Sequence, residues 1–297
     1  MSLSSPVIGR FAPSPSGPLH AGSLIAAIGS YLSARSQGGR WLLRMENIDE
    51  SRTRPGAAEH ILRQTDALGL DWDGPVWIQS TRKEHYQNAL TLLIAAQEAY
   101  PCGCTRQEIR RAGNHYPGTC RAGLRPGRPA RSWRLRLPET LDAWTDRFLG
   151  PQDSTEMSGN PILLRADGYF AYLLACVVDD AEQGVTEVLR GQDLLSLTAI
   201  QRYLQQILGY PHPSYGHLPL LYNAEGHKLS KSTDSPAWSS DPGLAWEATL
   251  HYLGWATPKA LHGAPAVSWR DWALAQLRAG GSVYSGQVLP LALPSEA

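Results

Sequence analysis

The sequence predicts an α/β fold built on a Rossmann-like parallel sheet, with an insertion in the middle and a small helical subdomain at the end of the chain. A strand–loop–helix–strand pattern opens the chain over residues 7–45. The composition then changes to Gly, Pro and Arg over residues 101–136, which also hold three of the four cysteines. A second α/β pattern begins near residue 171. Such an alternation of strands and helices is typical of a parallel sheet covered by helices.

Residues 1–100 are expected to form the first half of the sheet domain. The run Val7–Phe11 is short and apolar and stops at Pro13, which predicts a buried strand followed by a loop. Apolar and small residues then recur at helical spacing. The expected elements are a helix over 21–34, a strand over 41–45, and helices over 55–68 and 82–99.

The remaining chain divides into three parts by its composition. Residues 101–136 are expected to form an insertion, and residues 137–236 the second half of the sheet domain. That half should contain helices near 171–181 and 197–208 and strands over 185–189 and 214–220. Residues 237–297 hold five of the ten tryptophans and show helical patterning over 243–253 and 270–278. We expect a short helical subdomain there.

The overall composition excludes several classes of protein. Of the 297 residues, 42% are hydrophobic and 18% charged, with a net charge of zero, which argues against indiscriminate coating of nucleic acid. No apolar run reaches the roughly 18 residues that a membrane span needs. The first residues lack the pattern of an export signal. Four cysteines are too few for a disulfide scaffold, so we expect a reduced, cytoplasmic protein without a membrane partner.

The loop after the first strand is the first candidate functional segment. It leads into a helix whose start carries His20 and Gly22. Free backbone N–H groups at a helix start bind phosphate, a histidine there can donate to a phosphoryl oxygen, and a glycine lets a flat base approach. A proline-rich turn with an incidental histidine is the alternative interpretation.

A second candidate is the segment Lys228-Leu-Ser-Lys-Ser232, which follows a predicted strand and a turn. The chain has only four lysines, and two of them, Lys228 and Lys231, lie in these five residues. Compact ammonium charges suit a polyphosphate. A solvated surface turn is the alternative for this segment taken alone.

Together, the two segments resemble the paired signatures of class I aminoacyl-tRNA synthetases. The motifs Arg10–Gly17, Leu43–Asp49, Gly69–Asp73, Tyr172–Asp180 and Val185–Asp193 are similar to the glutamyl-tRNA synthetase catalytic domain. The resemblance covers roughly residues 7 to 235. It implies ATP, with Mg²⁺, as a substrate, catalytic roles for His20 and Lys231, and ATP contacts from His20, Gly22, Lys228 and Lys231. It also implies an L-glutamate pocket lined by Arg10, Ala12, Ser14, Glu46, Tyr172 and Arg190.

This glutamate pocket makes chemical sense. Glutamate carries two carboxylates and one ammonium group. The guanidinium groups of Arg10 and Arg190 can each hold a carboxylate, Glu46 can hold the ammonium group, and Tyr172 adds a hydroxyl donor. Without the resemblance, each arginine would more readily be interpreted as part of a surface or structural ion pair.

The short segment after residue 236 indicates which family of glutamyl-tRNA synthetase relatives the chain resembles. We expect this segment to be too short for an anticodon-binding domain, and the chain is similar to the glutamyl-queuosine tRNA(Asp) synthetase family. That family implies glutamate activation to glutamyl-adenylate and transfer to the queuosine base in the anticodon of tRNA(Asp). The expected partner is therefore tRNA(Asp) bearing queuosine, and we expect a monomer. The alternatives are a truncated glutamyl-tRNA synthetase that charges a tRNA 3′ end, a non-catalytic RNA-binding paralogue, and a small-molecule nucleotidyltransferase.

The insertion contains a candidate structural zinc site. Cys102, Cys104 and Cys120 are clustered thiols in a glycine-rich loop, and tetrahedral zinc needs a fourth ligand. Ligand chemistry alone favours His115, because imidazole binds zinc far more often than phenol. The family resemblance favours Tyr116 instead. Three free buried cysteines are the remaining alternative, and Cys176 is interpreted as a core residue.

The insertion is also strongly basic. Nine arginines lie between Arg106 and Arg136, against one acidic residue, Glu108. We expect part of this set to contact RNA phosphates, which would make binding depend on salt. A solvated arginine-rich surface is the alternative for most of the nine individually.

Overall fold

The computed structural model describes residues 6–113, 116–153, 159–220, 241–284 and 286, together with the backbone of 155–156. Its strands are β1 (Ile8–Phe11), β2 (Arg40–Met45), β3 (Trp77–Ile78), β4 (Ala99–Cys102), β5 (Ser132–Leu135), β6 (Thr140–Leu141), β7 (Trp144–Asp146), β8 (Gly150–Gln152), β9 (Thr155–Glu156), β10 (Ile162–Leu164), β11 (Glu187–Gly191) and β12 (Ser214–Leu218). Its helices are α1 (Ala21–Ser36), α2 (Ala57–Ala67), α3 (Lys83–Ala95), α4 (Arg106–Arg111), α5 (Tyr172–Glu182), α6 (Leu195–Leu208), α7 (Pro242–Tyr252) and α8 (Ala266–Arg278). The sequence-predicted strands and helices all occur, with ends shifted by a few residues.

The centre of the fold is parallel, which confirms the predicted α/β class. Strand β2 lies between β1 and β3 with all three parallel, and β11 pairs in parallel with β12. The start of β11 lies beside β1, because the Thr186 N–H donates to the Ile8 carbonyl at 2.9 Å and the Ile8 N–H donates to Thr186 Oγ1 at 2.8 Å. The carboxyl ends of β1, β2 and β11 therefore meet at one edge, where α/β sheets bind ligands.

Helix α1 is buried along most of its length. It packs on β1 and β11 on one side and on α7 and α8 on the other. A Cβ at Gly29 would lie 2.6 Å from Leu218 Cδ1, so a larger residue there would force the Leu218 side chain to move. Burying an apolar helix between a sheet and two further helices removes a large apolar area from water, which is the main favourable term in folding.

The tryptophan-rich C-terminal helices share the core of α1. Trp246 and Trp269 are fully buried in the same apolar cluster as Trp41. The indole N–H of Trp246 donates to the Leu68 carbonyl at 2.9 Å, so its polar atom is satisfied as it enters the core. Helices α7 and α8 thus pack directly against the sheet domain.

The middle of the chain is antiparallel. Strand β5 lies between β4 and β10, and the short pairs β6–β9 and β7–β8 follow. The antiparallel segment therefore extends from residue 99 to residue 164, past residue 136, where the composition changes. None of these strands is predicted by the sequence, because strands of two to four residues leave no detectable periodicity.

Candidate active site

One cavity at the carboxyl edge of the parallel strands brings together the sequence-predicted pocket residues. It has a volume of about 450 Å³, within the usual range for small-molecule sites. Its lining includes Arg10, Ala12, Ser14, His20, Gly22, Glu46, Tyr172 and Arg190. Lys228 and Lys231 lie outside the described residues.

Local structure explains why these residues converge. Arg10 lies in β1, Glu46 directly follows β2, Arg190 lies in β11, and Tyr172 begins α5. Ala12 and Ser14 belong to the loop that leaves β1. The carboxyl ends of parallel strands lie at the same edge of the sheet, so residues distant in sequence are neighbours there.

His20 is the N-cap of α1. Its backbone is extended, and its Nδ1 accepts from the Ser23 N–H at 3.4 Å. The ring therefore lies over the positive end of the helix dipole, facing a cavity suited to anions. A Cβ at Gly22 would lie 3.4 Å from two atoms of this ring, so Gly22 is directly beside the imidazole.

Arg10 is buried and held by an aspartate that sequence reasoning did not identify. Its Nε donates to Asp180 Oδ1 at 3.3 Å, and the same oxygen accepts from Arg44 Nη2 at 2.7 Å. Arg10 is 3% exposed and Arg44 is fully buried. One carboxylate thus partners two guanidinium groups beside the cavity, and Arg44 also lies within 4 Å of Glu46 and Asp179.

Glu46 is a buried glutamate in the cavity lining. Burial raises the pKa of Glu46 to about 7, although Arg44 and Arg10 favour its ionised form. Its Oε1 lies 3.4 Å from Arg44 Nη2. A carboxylate that titrates near neutrality is well suited to ionise when an ammonium group binds beside it.

Arg190 has a different environment from Arg10. Its Nε donates to His217 Nε2 at 3.1 Å and its Nη2 to Thr198 Oγ1 at 2.8 Å. Burial lowers the pKa of His217 below its usual value and outweighs its hydrogen bond with Asp146, so this histidine is neutral. No carboxylate forms an ion pair with Arg190 within the described part of the chain. Its buried Nη1 also lacks a hydrogen-bond partner there.

The predicted cysteine cluster is assembled. The Sγ atoms of Cys102, Cys104 and Cys120 all lie within 4.8 Å of one another, and those of Cys104 and Cys120 are 3.7 Å apart. Two thiolates on a tetrahedral ion with metal–sulfur bonds of about 2.3 Å lie about 3.8 Å apart, so the triad can hold a metal. Nearby, the buried Tyr116 hydroxyl oxygen accepts from the Cys120 N–H at 3.0 Å. His115 lies outside the described residues.

The insertion arginines separate into two groups. Four of them hold the insertion together: Arg121 and Arg134 bind Asn160, Arg128 binds Gly103 and Glu108, and Arg136 binds Gln97 and Arg121. The other five, Arg106, Arg110, Arg111, Arg125 and Arg131, are exposed. The sequence could not separate the groups, because both have the same composition.

None of the helices that the structure describes has the length and apolar character to cross a membrane.

Comparison with known proteins shows the family to which the chain belongs. Residues 6–254 match the family model "tRNA synthetases class I (E and Q), catalytic domain". The chain is 51% identical over 283 residues to "Glutamyl-Q tRNA(Asp) synthetase" of Dechloromonas aromatica, covering 91% of this chain and 94% of that one. It is 46% identical over 309 residues to the protein of the same name from Geobacter sulfurreducens, covering 98% and 95%.

A solved structure agrees with the fold. The glutamate-tRNA synthetase of Elizabethkingia anophelis aligns with a TM-score of 0.69 and 27% identity over 77% of this chain. This chain spans only 53% of that synthetase. The chain therefore belongs to the class I tRNA synthetases of the E and Q group, in the family of the glutamyl-Q tRNA(Asp) synthetases, and is a ligase-type enzyme.

Proposed function

We propose that this enzyme activates L-glutamate with ATP and transfers it to the queuosine base in the anticodon of tRNA(Asp). The observation that carries the choice of glutamate is the charge pattern of the cavity, and the names of relatives at about 50% identity support the transfer to queuosine. The buried guanidinium group of Arg190 has no carboxylate partner among the described residues, and Glu46 is a buried acid whose pKa is near 7. A ligand with carboxylates and an ammonium group supplies the missing partner of each.

The activation step follows from this arrangement. Glutamate is held by Arg10, Arg190, Glu46 and Tyr172, with Ala12 and Ser14 completing the wall. Its α-carboxylate oxygen attacks the α-phosphorus of ATP, whose phosphates carry Mg²⁺. The bond to pyrophosphate breaks, and glutamyl-adenylate forms. His20 and Lys231 stabilise the charge on the phosphoryl oxygens, while Gly22 and Lys228 contact ATP.

In the transfer step, a hydroxyl of the queuosine cyclopentenediol attacks the carbonyl carbon of the mixed anhydride. The hydroxyl proton is lost, an ester forms, and AMP leaves. No protein nucleophile is needed, so catalysis rests on positioning and charge stabilisation. The exposed insertion arginines are the part of the chain we assign to RNA phosphates.

We further propose that the cysteine triad holds a structural zinc ion, with Tyr116 or His115 as the fourth ligand. Cys102, Cys104 and Cys120 would be its thiolate ligands, and the ion would fix the insertion on which the arginines lie. We also expect the enzyme to act as a cytoplasmic monomer.

The direct test is incubation with labelled glutamate, ATP and tRNA(Asp), with and without queuosine, followed by nuclease mapping. We expect label only with queuosine, in the anticodon-loop fragment. Label at the 3′ end, or incorporation that does not depend on queuosine, would indicate a truncated glutamyl-tRNA synthetase. Absence of glutamate-dependent ATP–pyrophosphate exchange would indicate a non-catalytic RNA-binding protein.

A further inference from the structure

A buried hydrogen-bond chain runs from Asp146 through His217 to the pocket arginine Arg190. His217 Nδ1 and Asp146 Oδ2 are 2.6 Å apart, and Arg190 Nε donates to His217 Nε2 at 3.1 Å. All three side chains are nearly inaccessible to solvent, with exposures of 1% for Asp146, 0% for His217 and 4% for Arg190. Of the three, only Arg190 belongs to a motif that the sequence resemblance identified.

The fold places these residues in register. Arg190 in β11 and His217 in β12 are directly paired positions of two parallel strands. Asp146 ends β7, and the Arg147 N–H next to it donates to the Tyr215 carbonyl of β12 at 2.9 Å. The three hydrogen-bonded side chains therefore come from three backbone segments that are themselves hydrogen-bonded to one another.

Each hydrogen bond fixes the next one. Asp146 is ionised: burial would raise its pKa, but the bonds from His217 and from the N–H groups of Leu149 and Phe148 lower it instead. An ionised carboxylate at Nδ1 requires the proton on that nitrogen. In a neutral ring, Nε2 is then an acceptor, which is what the Nε–H of Arg190 requires.

The result is a defined orientation of the guanidinium group. His217 and Thr198 occupy the edge that carries Nε and Nη2, while Nη1 has no hydrogen-bond partner among the described residues. A neutral partner also holds Arg190 in place without cancelling its charge. An aspartate in the place of His217 would orient the group equally well but would compete with a carboxylate ligand.

We infer that Asp146 and His217 are positioning residues for Arg190, and that they fix its guanidinium group, which has no carboxylate partner in the described part of the chain, to receive a substrate carboxylate. This inference rests on the proposed function. Neither residue touches the substrate in this assignment. Asp146 acts by selecting the tautomer of His217, and His217 acts by offering Nε2 as an acceptor.

The substitution Asp146→Asn tests the tautomer directly, because the structure fixes the orientation of the new amide. Asp146 Oδ1 accepts from the N–H groups of Phe148 and Leu149 at 2.9 and 3.0 Å, so the amide oxygen must stay there. The NH₂ group then faces His217 Nδ1 and donates to it. The histidine proton moves to Nε2, which can then donate to Thr198 Oγ1, 3.1 Å away, but no longer accepts from the Nε–H of Arg190.

The measurement is glutamate-dependent ATP–pyrophosphate exchange, with KM for glutamate, KM for ATP and kcat determined separately. For D146N we expect KM for glutamate to rise about 10- to 100-fold, the range for losing a hydrogen bond to a charged group, with KM for ATP unchanged. His217→Gln keeps an acceptor at the position of Nε2, so H217Q should stay within about threefold of wild type. Adding H217Q to D146N should recover most of the lost glutamate affinity. The matched control is Asp167→Asn, an exposed aspartate that pairs with Arg165.

The outcomes separate this inference from the proposed function. A wild-type enzyme without glutamate-dependent exchange overturns both. With an active wild type, an unchanged KM for glutamate in D146N overturns the positioning role alone, as does a double variant no better than D146N. If D146N fails to fold, as judged by its melting temperature, the positioning role is tested by comparing KM for glutamate in H217Q and His217→Met. Equal KM values for glutamate in H217Q and H217M contradict the role of the acceptor, whereas a large rise in H217M alone supports it.

Discussion

Arg44 and Glu46 lie two residues apart on the same side of the chain at the end of β2, with Arg44 Nη2 and Glu46 Oε1 separated by 3.4 Å. Arg44 also binds Asp180 and Gln183, at 2.7 and 2.6 Å. A fully buried guanidinium group thus links the acid at the edge of the cavity to the aspartate that holds Arg10. The charge state of the pocket depends on this link.

Glutamate binding is predicted to tighten as the pH rises through about 7. The pKa of Glu46 in the free enzyme is about 7, so below that pH the side chain is protonated and neutral. An ammonium group needs the ionised form, so binding at lower pH must also release a proton. KM for glutamate measured between pH 6 and pH 8 should fall, and Glu46→Gln should have a higher and pH-independent KM. A KM that rises over this range would contradict the assignment.

The same group affects the stability of the free enzyme. A folded-state pKa raised from 4.5 to about 7 means that the contribution of Glu46 is fully present below pH 4.5 and is lost as the pH rises through 7. Relative to E46Q, the wild-type protein should therefore lose stability over this interval in the absence of glutamate. Denaturant unfolding of both proteins at pH 5 and pH 8 measures the difference, and equal pH dependence would contradict it.

Removal of Arg44 should be costly. Arg44→Met leaves Asp180 and Glu46 buried with fewer cationic partners, and breaking a buried ion pair on one side destabilises a protein by about 3–5 kcal/mol. We expect a loss of this order in denaturant unfolding, together with a further rise in the pKa of Glu46. Arg35→Met is the matched control, because Arg35 pairs with Asp71 and Asp73 away from the cavity and is partly exposed. A cost for R44M no larger than that of R35M would rule out the linking role.

The lysine motif should be required for activation. Lys231→Ala is expected to lower the rate of ATP–pyrophosphate exchange by about 10²-fold or more, by analogy with the loss of one preorganised donor to a charged transition state. Lys259→Ala is the control, because Lys259 is exposed and lies in a separate short helical turn. An unchanged exchange rate in K231A would remove Lys231 from the mechanism.

The cysteine triad should determine the metal content. We expect one zinc ion per chain by elemental analysis, and its loss in Cys120→Ser, since a tetrahedral site with one thiolate removed binds far more weakly. Cys176→Ser is the control, because Cys176 lies in α5 outside the triad. Tyr116→Phe and His115→Ala, analysed in parallel, identify the fourth ligand. Equal zinc content in C120S and C176S would contradict the site.

The exposed insertion arginines should strengthen RNA binding through their charge. Replacing Arg110 and Arg111 by alanine should weaken tRNA binding. It should also lower the slope of log affinity against log salt by about 0.7–0.9 for each phosphate that the protein no longer neutralises. Arg278→Ala is the control, as this arginine is exposed at the end of α8. A lower affinity with an unchanged salt slope would argue against a direct role at phosphates.

The sequence by itself determined the α/β class and the helix and strand order of the parallel part, and the family resemblance of its motifs indicated the residues that line the cavity around His20, Glu46 and Arg190. These features depend on local patterns and on short motifs, whose residues are close together in the sequence. The short antiparallel strands between residues 99 and 164 could not be predicted in this way, because strands of two to four residues have too few positions for an alternation to be seen.

Only the tertiary structure decided which groups surround the pocket arginines. Asp180, Arg44, Asp146 and His217 come from four separate elements, and no spacing along the chain relates Asp146 to Arg190. Tertiary structure also separated the insertion arginines that hold backbone carbonyls from those that face solvent. The physical reason is the same in both cases: hydrogen bonding and burial depend on distances in space, which strand pairing and packing set independently of distance along the sequence.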